Sequence, residues 1–255
     1  MSMIALELAC AAIVALYVAA RRDAMLALAL LAVAGFLGED SVIRAYGFYY
    51  YSPRWHLFLD RVPLMIVLIW PIVIHSAWSL ARRLSPRAWA PLVGAAIVLA
   101  DASLIEPIAV HAGLWTWTEP GLFAVPPIGI LGWAYFAGAA MACLERARPL
   151  AAAVVAPLAT HVMLVASWWL AFKWLSRPLP PWPFVVAAWV VLGLLAVAAV
   201  RVPKRHEPAF RNDLLLRGPG AAFFFVLLGL YGRDLPSLCV YSLAFAPPYL
   251  TLLLA

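Results

Sequence analysis

Apolar runs fill this chain, at roughly 3–20, 24–46, 61–81, 88–112, 124–143, 150–172, 182–200, 218–231 and 237–254, and polar residues gather in the short links between them. Most of the runs have the ~20 residues that a helix needs to cross a bilayer. Backbone groups in lipid must be satisfied within the segment, so such runs are helices. No alternation with period two supports a barrel. The last two runs are short and broken by Pro and Gly, and are expected to tilt or re-enter. The pattern predicts an all-α integral membrane protein, a polytopic bundle of about eight (seven to nine) transmembrane helices forming a single domain over 1–255. No convincing internal repeat is evident.

Composition agrees with this. The chain has 255 residues, of which 66% are hydrophobic and 12% charged, with a mean hydropathy of +0.95. Soluble domains carry about 25% charged residues, so no room is left for a soluble domain. The net charge of +6 reports topology rather than nucleic-acid binding. Arg21, Arg22, Arg82, Arg83, Arg87, Arg146, Arg148, Arg201, Lys204, Arg205, Arg211 and Arg217 fall on one side of the predicted bundle. Arg44, Arg54, Arg61, Lys173, Arg177 and Arg233 fall on the other. The richer set belongs in the cytoplasm, which puts the N-terminus outside, in a bacterial-type inner membrane. The first run ends in Arg21-Arg22 instead of following positive charges, so it reads as a span and not a cleaved signal. The segment 201–217 reads as a solvated cytoplasmic loop touching anionic headgroups. Cys10, Cys143 and Cys239 have no metal or disulfide spacing.

This orientation places the links 39–61 and 113–123 on the same outer side, where residues distant in sequence can converge. The first link follows Glu39-Asp40 and carries Arg44, an aromatic run through Tyr46, Phe48, Tyr49, Tyr50 and Tyr51, then Trp55, His56, Asp60 and Arg61. An interfacial aromatic belt is the plain account of the tyrosines. A helical Asp40–Arg44 pair and an Asp60–Arg61 pair at a helix start account for the charges. Which of Glu39 and Asp40 faces the bundle stays open.

The second cluster is Asp101, Glu106 and His111, inside or at the end of the fourth run. An ionisable group at membrane depth costs about 2.5–3.5 kcal/mol on insertion scales, so two carboxylates there call for a use or a partner. Five residues turn a helix by about 140°, so the two do not share one narrow face. A structural hydrogen bond or a buried ion pair between helices is the bland account. Glu7, His75 and His161 read as core polar groups bonded to neighbours. Five histidines without HxxH or HxxxH spacing assemble no multi-histidine metal set, and phosphate-loop, GxSxG and CxxC motifs are lacking. No metal and no cofactor is expected.

The order Asp101-x4-Glu106-Pro107, Gly113-Leu114-Trp115-Thr116-Trp117, Gly121, Val125-Pro126 and Gly132-Trp133 resembles the carotenoid-biosynthesis membrane proteins that include bacterioruberin-type and γ-carotene hydratases. The Glu39 region, the Gly47-Phe-Tyr-Tyr run and Val62-Pro63-Leu64 through Trp70 resemble that family's earlier block. Together these cover about residues 36–135. Ile130-Leu131 stands where the family has Asn-Phe, and Ala100 where it has Trp, which leaves the substrate open. A weaker likeness, in architecture and chemistry only, is to membrane spirocyclases.

The resemblance implies redox-neutral hydration of a terminal alkene of a polyene or isoprenoid. A carboxylic acid protonates carbon, and water captures the tertiary cation. Burial favours the neutral acid such a step needs. The expected catalytic set is Asp101, Glu106, Glu39, Asp40 and His111, with Asp101 first as proton donor. The expected substrate-binding set is Tyr49, Trp70, Trp115, Trp117 and Trp133, whose faces would hold the cation. The lipophilic substrate would enter sideways from the lipid. A membrane cyclase using the same acid and a small proton-coupled transporter are the competing readings.

Overall fold

The computed structural model describes residues 2–202 and 207–254. Lys204 and Arg205, counted above among the cytoplasmic charges, lie outside the described residues. Nine helical segments among those described are long and apolar enough to span a membrane, from Met3–Ala20 to Pro236–Leu254. The chain is an all-α polytopic membrane protein.

The helices are α1 (Met3–Ala20), α2 (Met25–Tyr46), α3 (Leu64–Leu84), α4 (Ala90–His111), α5 (Pro127–Glu145) and α6 (Pro149–Ser167), then a short α7 (Lys173–Leu175), α8 (Pro181–Ala199), α9 (Pro208–Leu215), α10 (Gly218–Tyr231), α11 (Pro236–Leu243) and α12 (Ala246–Leu254). Local sequence sets their ends. The Ser2 hydroxyl accepts the Ala5 amide at 3.3 Å and caps α1. Proline opens α5, α6 and α8, where its missing N–H costs no helical bond. A π-turn, Trp168–Phe172, joins α6 to α7.

Helices α2 to α6 close a ring. Helix α2 packs on α3 and α6, α4 on α3 and α5, and α5 on α6. Their inward faces bury Leu31, Ile74, Val98, Phe136 and Met141. Outside the ring, α1 and α9 lie against α3, α10 against α4, and α8 against α11 and α12. Outward-facing Leu26, Leu150, Val162, Leu170 and Leu194 stay exposed, as lipid-facing positions must.

The final two spans, Pro208–Tyr231 and Pro236–Leu254, are broken. Helix α9 gives way to α10 at Leu216–Arg217, and α11 to α12 at Ala244–Phe245. Two charge readings are corrected here. Arg217 is not a solvated loop residue; its side chain is 10% exposed and pairs with Asp101. Asp213, in the same stretch, is 1% exposed at its side chain and binds both Arg21 and Arg83. Asp60 pairs with Arg44 and not with Arg61, because its positive φ of 52° puts it on a tight turn. The Asp40–Arg44 pair forms as spacing predicts, at 2.6 Å.

Short strands decorate one end of the ring: β1 (Tyr49–Tyr51), β2 (Phe58–Leu59), β3 (Val62–Pro63) and β4 (Trp115–Trp117). Strands β1 and β4 pair antiparallel, Tyr49 with Trp117 and Tyr51 with Trp115. Ser52 N–H to the Leu114 carbonyl (3.0 Å) and Thr118 N–H to the Phe48 carbonyl (2.8 Å) extend the ladder. The links 39–61 and 113–123 therefore meet at one end of the bundle, the convergence expected of links on one side of the membrane.

Candidate active site

The β1–β4 ribbon converts period-two alternation into a site. Tyr50 and Thr116, opposite each other at its centre, are exposed. Tyr49, Tyr51, Trp115 and Trp117 take the other face and line a cavity of about 510 Å³ inside the bundle. Glu39 from α2 and Glu106 from α4 line the same cavity, and the ribbon's aromatics bind them.

The Glu39 carboxylate accepts from the hydroxyls of Tyr49 and Tyr51 (the latter at 2.7 Å) and from Trp70 Nε1 at 2.9 Å. The Glu106 carboxylate, in a residue only 2% exposed, accepts from Nε1 of Trp115 at 2.8 Å, Trp117 at 2.9 Å and Trp133 at 2.7 Å. In both residues Oε2 takes the two ribbon donors and Oε1 takes the helix tryptophan. The donors also touch in pairs across the site. Trp70 stacks on Trp133 at 4.3 Å between centroids, Tyr49 lies 4.6 Å from Trp117, and Tyr51 meets Trp115 edge-on at 5.9 Å. Each pair joins one Glu39 donor to one Glu106 donor.

This arrangement exposes an internal repeat. Glu39 is followed by Gly47-x-Tyr49-x-Tyr51, then Leu59-x-x-Val62-Pro63 and Trp70. Glu106 is followed by Gly113-x-Trp115-x-Trp117, then Leu122-x-x-Val125-Pro126 and Trp133. In both copies the glycine has positive φ, 62° and 69°, so the chain turns from helix into ribbon. In both, the leucine bridges back to the valine. In both, Trp stands seven residues past Pro in the next helix. The units α2–α3 and α4–α5 run in the same sense and meet about the ribbon's centre. Close packing seats the rings. A Cβ added to Gly129 would lie 2.7 Å from the Trp117 ring, and one on Gly35 3.1 Å from Trp70.

Burial first, then the Glu39 carboxylate, holds the phenols of Tyr49 and Tyr51 well above the usual tyrosine value; Glu106 adds to both. Both therefore act as hydrogen-bond donors at neutral pH. Because their folded values are raised, their contribution to stability is complete below the ordinary phenol value and is lost as pH rises through the folded one. An ultraviolet phenolate titration of purified protein against Y49F/Y51F is expected to place the difference signal well above a free tyrosine's. A difference signal at the ordinary value would mean that the cage is open to water.

The other expected catalytic residues are engaged by partners of their own. Asp101 borders the cavity but is bound by Arg217 and by the Tyr249 hydroxyl at 3.1 Å, so its charge is already matched. Asp40 is held by Arg44, and His111 meets the exposed Asp234 at 3.0 Å; neither borders the cavity. That hydrogen bond from His111 holds the Asp234 carboxyl below its ordinary value. Glu7 binds the His56 amide at 2.7 Å and Nδ1 at 3.0 Å, Tyr17 binds His75, and Ser41 and Tyr46 bind His161. Tyr51, Arg217, Tyr249 and Ser76 enter the cavity wall without having been singled out; the repeat signals Tyr51, whereas the other three carry no local signal. No cluster of three or more metal-ligating side chains occurs among the described residues.

The fold and site define a membrane protein whose centre is a buried cage of two carboxylates and six aromatic donors. A family model described as carotenoid biosynthesis protein matches residues 1–177, so the chain belongs to the carotenoid biosynthesis protein family and has its role in carotenoid biosynthesis. The match contains both repeat units and ends before α8. The chain matches no curated protein and no solved structure.

Proposed function

We propose that this chain catalyses redox-neutral, acid-catalysed hydration of a terminal alkene on a polyene or isoprenoid, with Glu39 and Glu106 as the acid–base pair. The observation that carries this reading is the convergence of two carboxylates and six aromatic donors on one apolar cavity. Two carboxylates on one apolar cavity favour holding a single proton between them.

The donors divide the roles. Indole N–H only donates, so the three tryptophans around Glu106 suit its ionised, acceptor-only form. A phenol both donates and accepts, so Tyr49 and Tyr51 can turn to follow a proton on and off Glu39. Glu39 delivers its proton to the terminal alkene carbon, and the π pair becomes the new C–H bond. The tertiary cation lies against the faces of Trp70, Trp133 and Trp117, where ring quadrupoles and the Glu106 charge stabilise it. Water adds to the cation, and Glu106 takes the proton that the water releases. The sum is alkene plus water to tertiary alcohol, with one proton kept by the pair and no electron transferred.

A lipophilic substrate would reach the cavity sideways from the bilayer, since the outer faces of the helices are apolar. The arginine distribution favours an inner membrane with the ribbon on the non-cytoplasmic side. Supplying an acyclic polyene to membranes in water enriched with heavy oxygen tests the reaction. Product carrying one labelled water is expected; an isomer of unchanged mass would replace hydration with cyclisation, and no product would remove both.

A further inference from the structure

The cavity has a second polar station. Arg217 sits at the break between α9 and α10, and Tyr249 lies in α12 beyond the break at Ala244–Phe245. Both border the cavity, with Asp101 and Ser76. Broken helices at membrane depth are tolerated where they line a cavity. The Arg217 guanidinium has five N–H donors. Nη1 binds Ser76 Oγ at 2.7 Å, and Nη2 binds Asp101 and the Tyr249 hydroxyl, the latter at 3.2 Å. Two donors are left over, and Nε has no partner among the described residues. A buried guanidinium with spare donors in an apolar wall calls for an acceptor. Asp101 cancels its charge, so an anion would gain nothing there and a neutral oxygen would.

We propose that Arg217, positioned by Asp101, Ser76 and Tyr249, binds a neutral oxygen acceptor at this end of the cavity: a hydroxyl, ether or carbonyl oxygen on the polyene chain, or a water molecule. Asp101 precedes Glu106 by five residues on α4, a rise of about 7.5 Å. The station is therefore a separate contact for an elongated ligand, distinct from the glutamate cage. Arg217 and Tyr249 also lie beyond the residues that match the family model. The inference rests on the reading of the cavity as the polyene site, and not on hydration itself.

The test is binding by purified protein in detergent, read by quenching of tryptophan fluorescence. The ligands are an acyclic hydrocarbon polyene and an alcohol of the same polyene. The proteins are wild type, D101N/R217M, which removes both charges together, and R217K, which keeps the pair but not the fork, in case the double variant does not fold. An oxygen on the polyene predicts a preference for the alcohol of about tenfold or more in wild type, the worth of one hydrogen bond to a charged group. That ratio falls to about one in either variant. A water at the station predicts no preference in any protein, but at least tenfold slower turnover of the hydrocarbon by the variants. Equal affinity ratios and equal turnover in all three proteins would overturn the proposal. E39Q run in parallel separates the two readings: a variant that keeps the alcohol preference and full turnover would sink the hydration mechanism and leave the Arg217 site standing.

Discussion

Replacing Glu39 with Gln is expected to lower product formation by about 10²–10⁴-fold, the usual worth of a general acid, while the protein still folds and binds polyene. The amide cannot deliver a proton, but its NH₂ meets two phenols that can turn and accept. Replacing Glu106 with Gln is expected to remove activity to a similar extent and also to destabilise the bundle, by about 1–3 kcal/mol. There an amide NH₂ enters a ring of three indole N–H donors that cannot accept. The pair thus separates in stability while agreeing in activity. Product mass from a polyene-producing host and thermal midpoints in detergent measure the two effects. Wild-type product from either variant would exclude that residue from the chemistry, and equal midpoints would refute the division of roles.

The second large effect lies far from the cage. Asp213 is nearly inaccessible and carries both Arg21 and Arg83, so it fastens α9 to the ends of α1 and α3. Asp213→Asn leaves two guanidinium groups facing each other without a counter-charge. Breaking a buried pair by removing one partner costs about 3–5 kcal/mol, and the lower end applies here because both arginines keep contact with solvent. The expected result is a lower thermal midpoint in detergent and reduced yield, with partial recovery in D213N/R83M, which removes one of the two positive charges. An unchanged midpoint would show that α9 is held by apolar contacts alone.

The spans were legible because lipid imposes both length and apolarity on them. The aromatic lining was legible too: Trp70, Trp115, Trp117, Trp133 and Tyr49 are all in the cage. Which carboxylate turned inward was not, because α2 and α4 are apolar on nearly every side and give no preferred face. In the sequence Asp101 stands as an uncompensated charge, because its partner Arg217 is 116 residues away, in a stretch that reads as a polar loop. The repeat is faint in the sequence for two reasons. One copy uses tyrosine where the other uses tryptophan. The links also differ in length, so that Trp70 follows Glu39 by 31 residues and Trp133 follows Glu106 by 27. Hydrogen-bond donation is shared between the copies; the letters are not.

The paired ribbon has one more consequence. A cage made of two like halves has no built-in direction of its own, so an elongated molecule is oriented by what lies beyond the cage, such as the Arg217 station on one side. Handedness of reaction must come from where the halves differ: two phenols on one side against two indoles on the other. Exchanging Tyr49 and Tyr51 with Trp117 and Trp115 would then reverse which glutamate gives the proton.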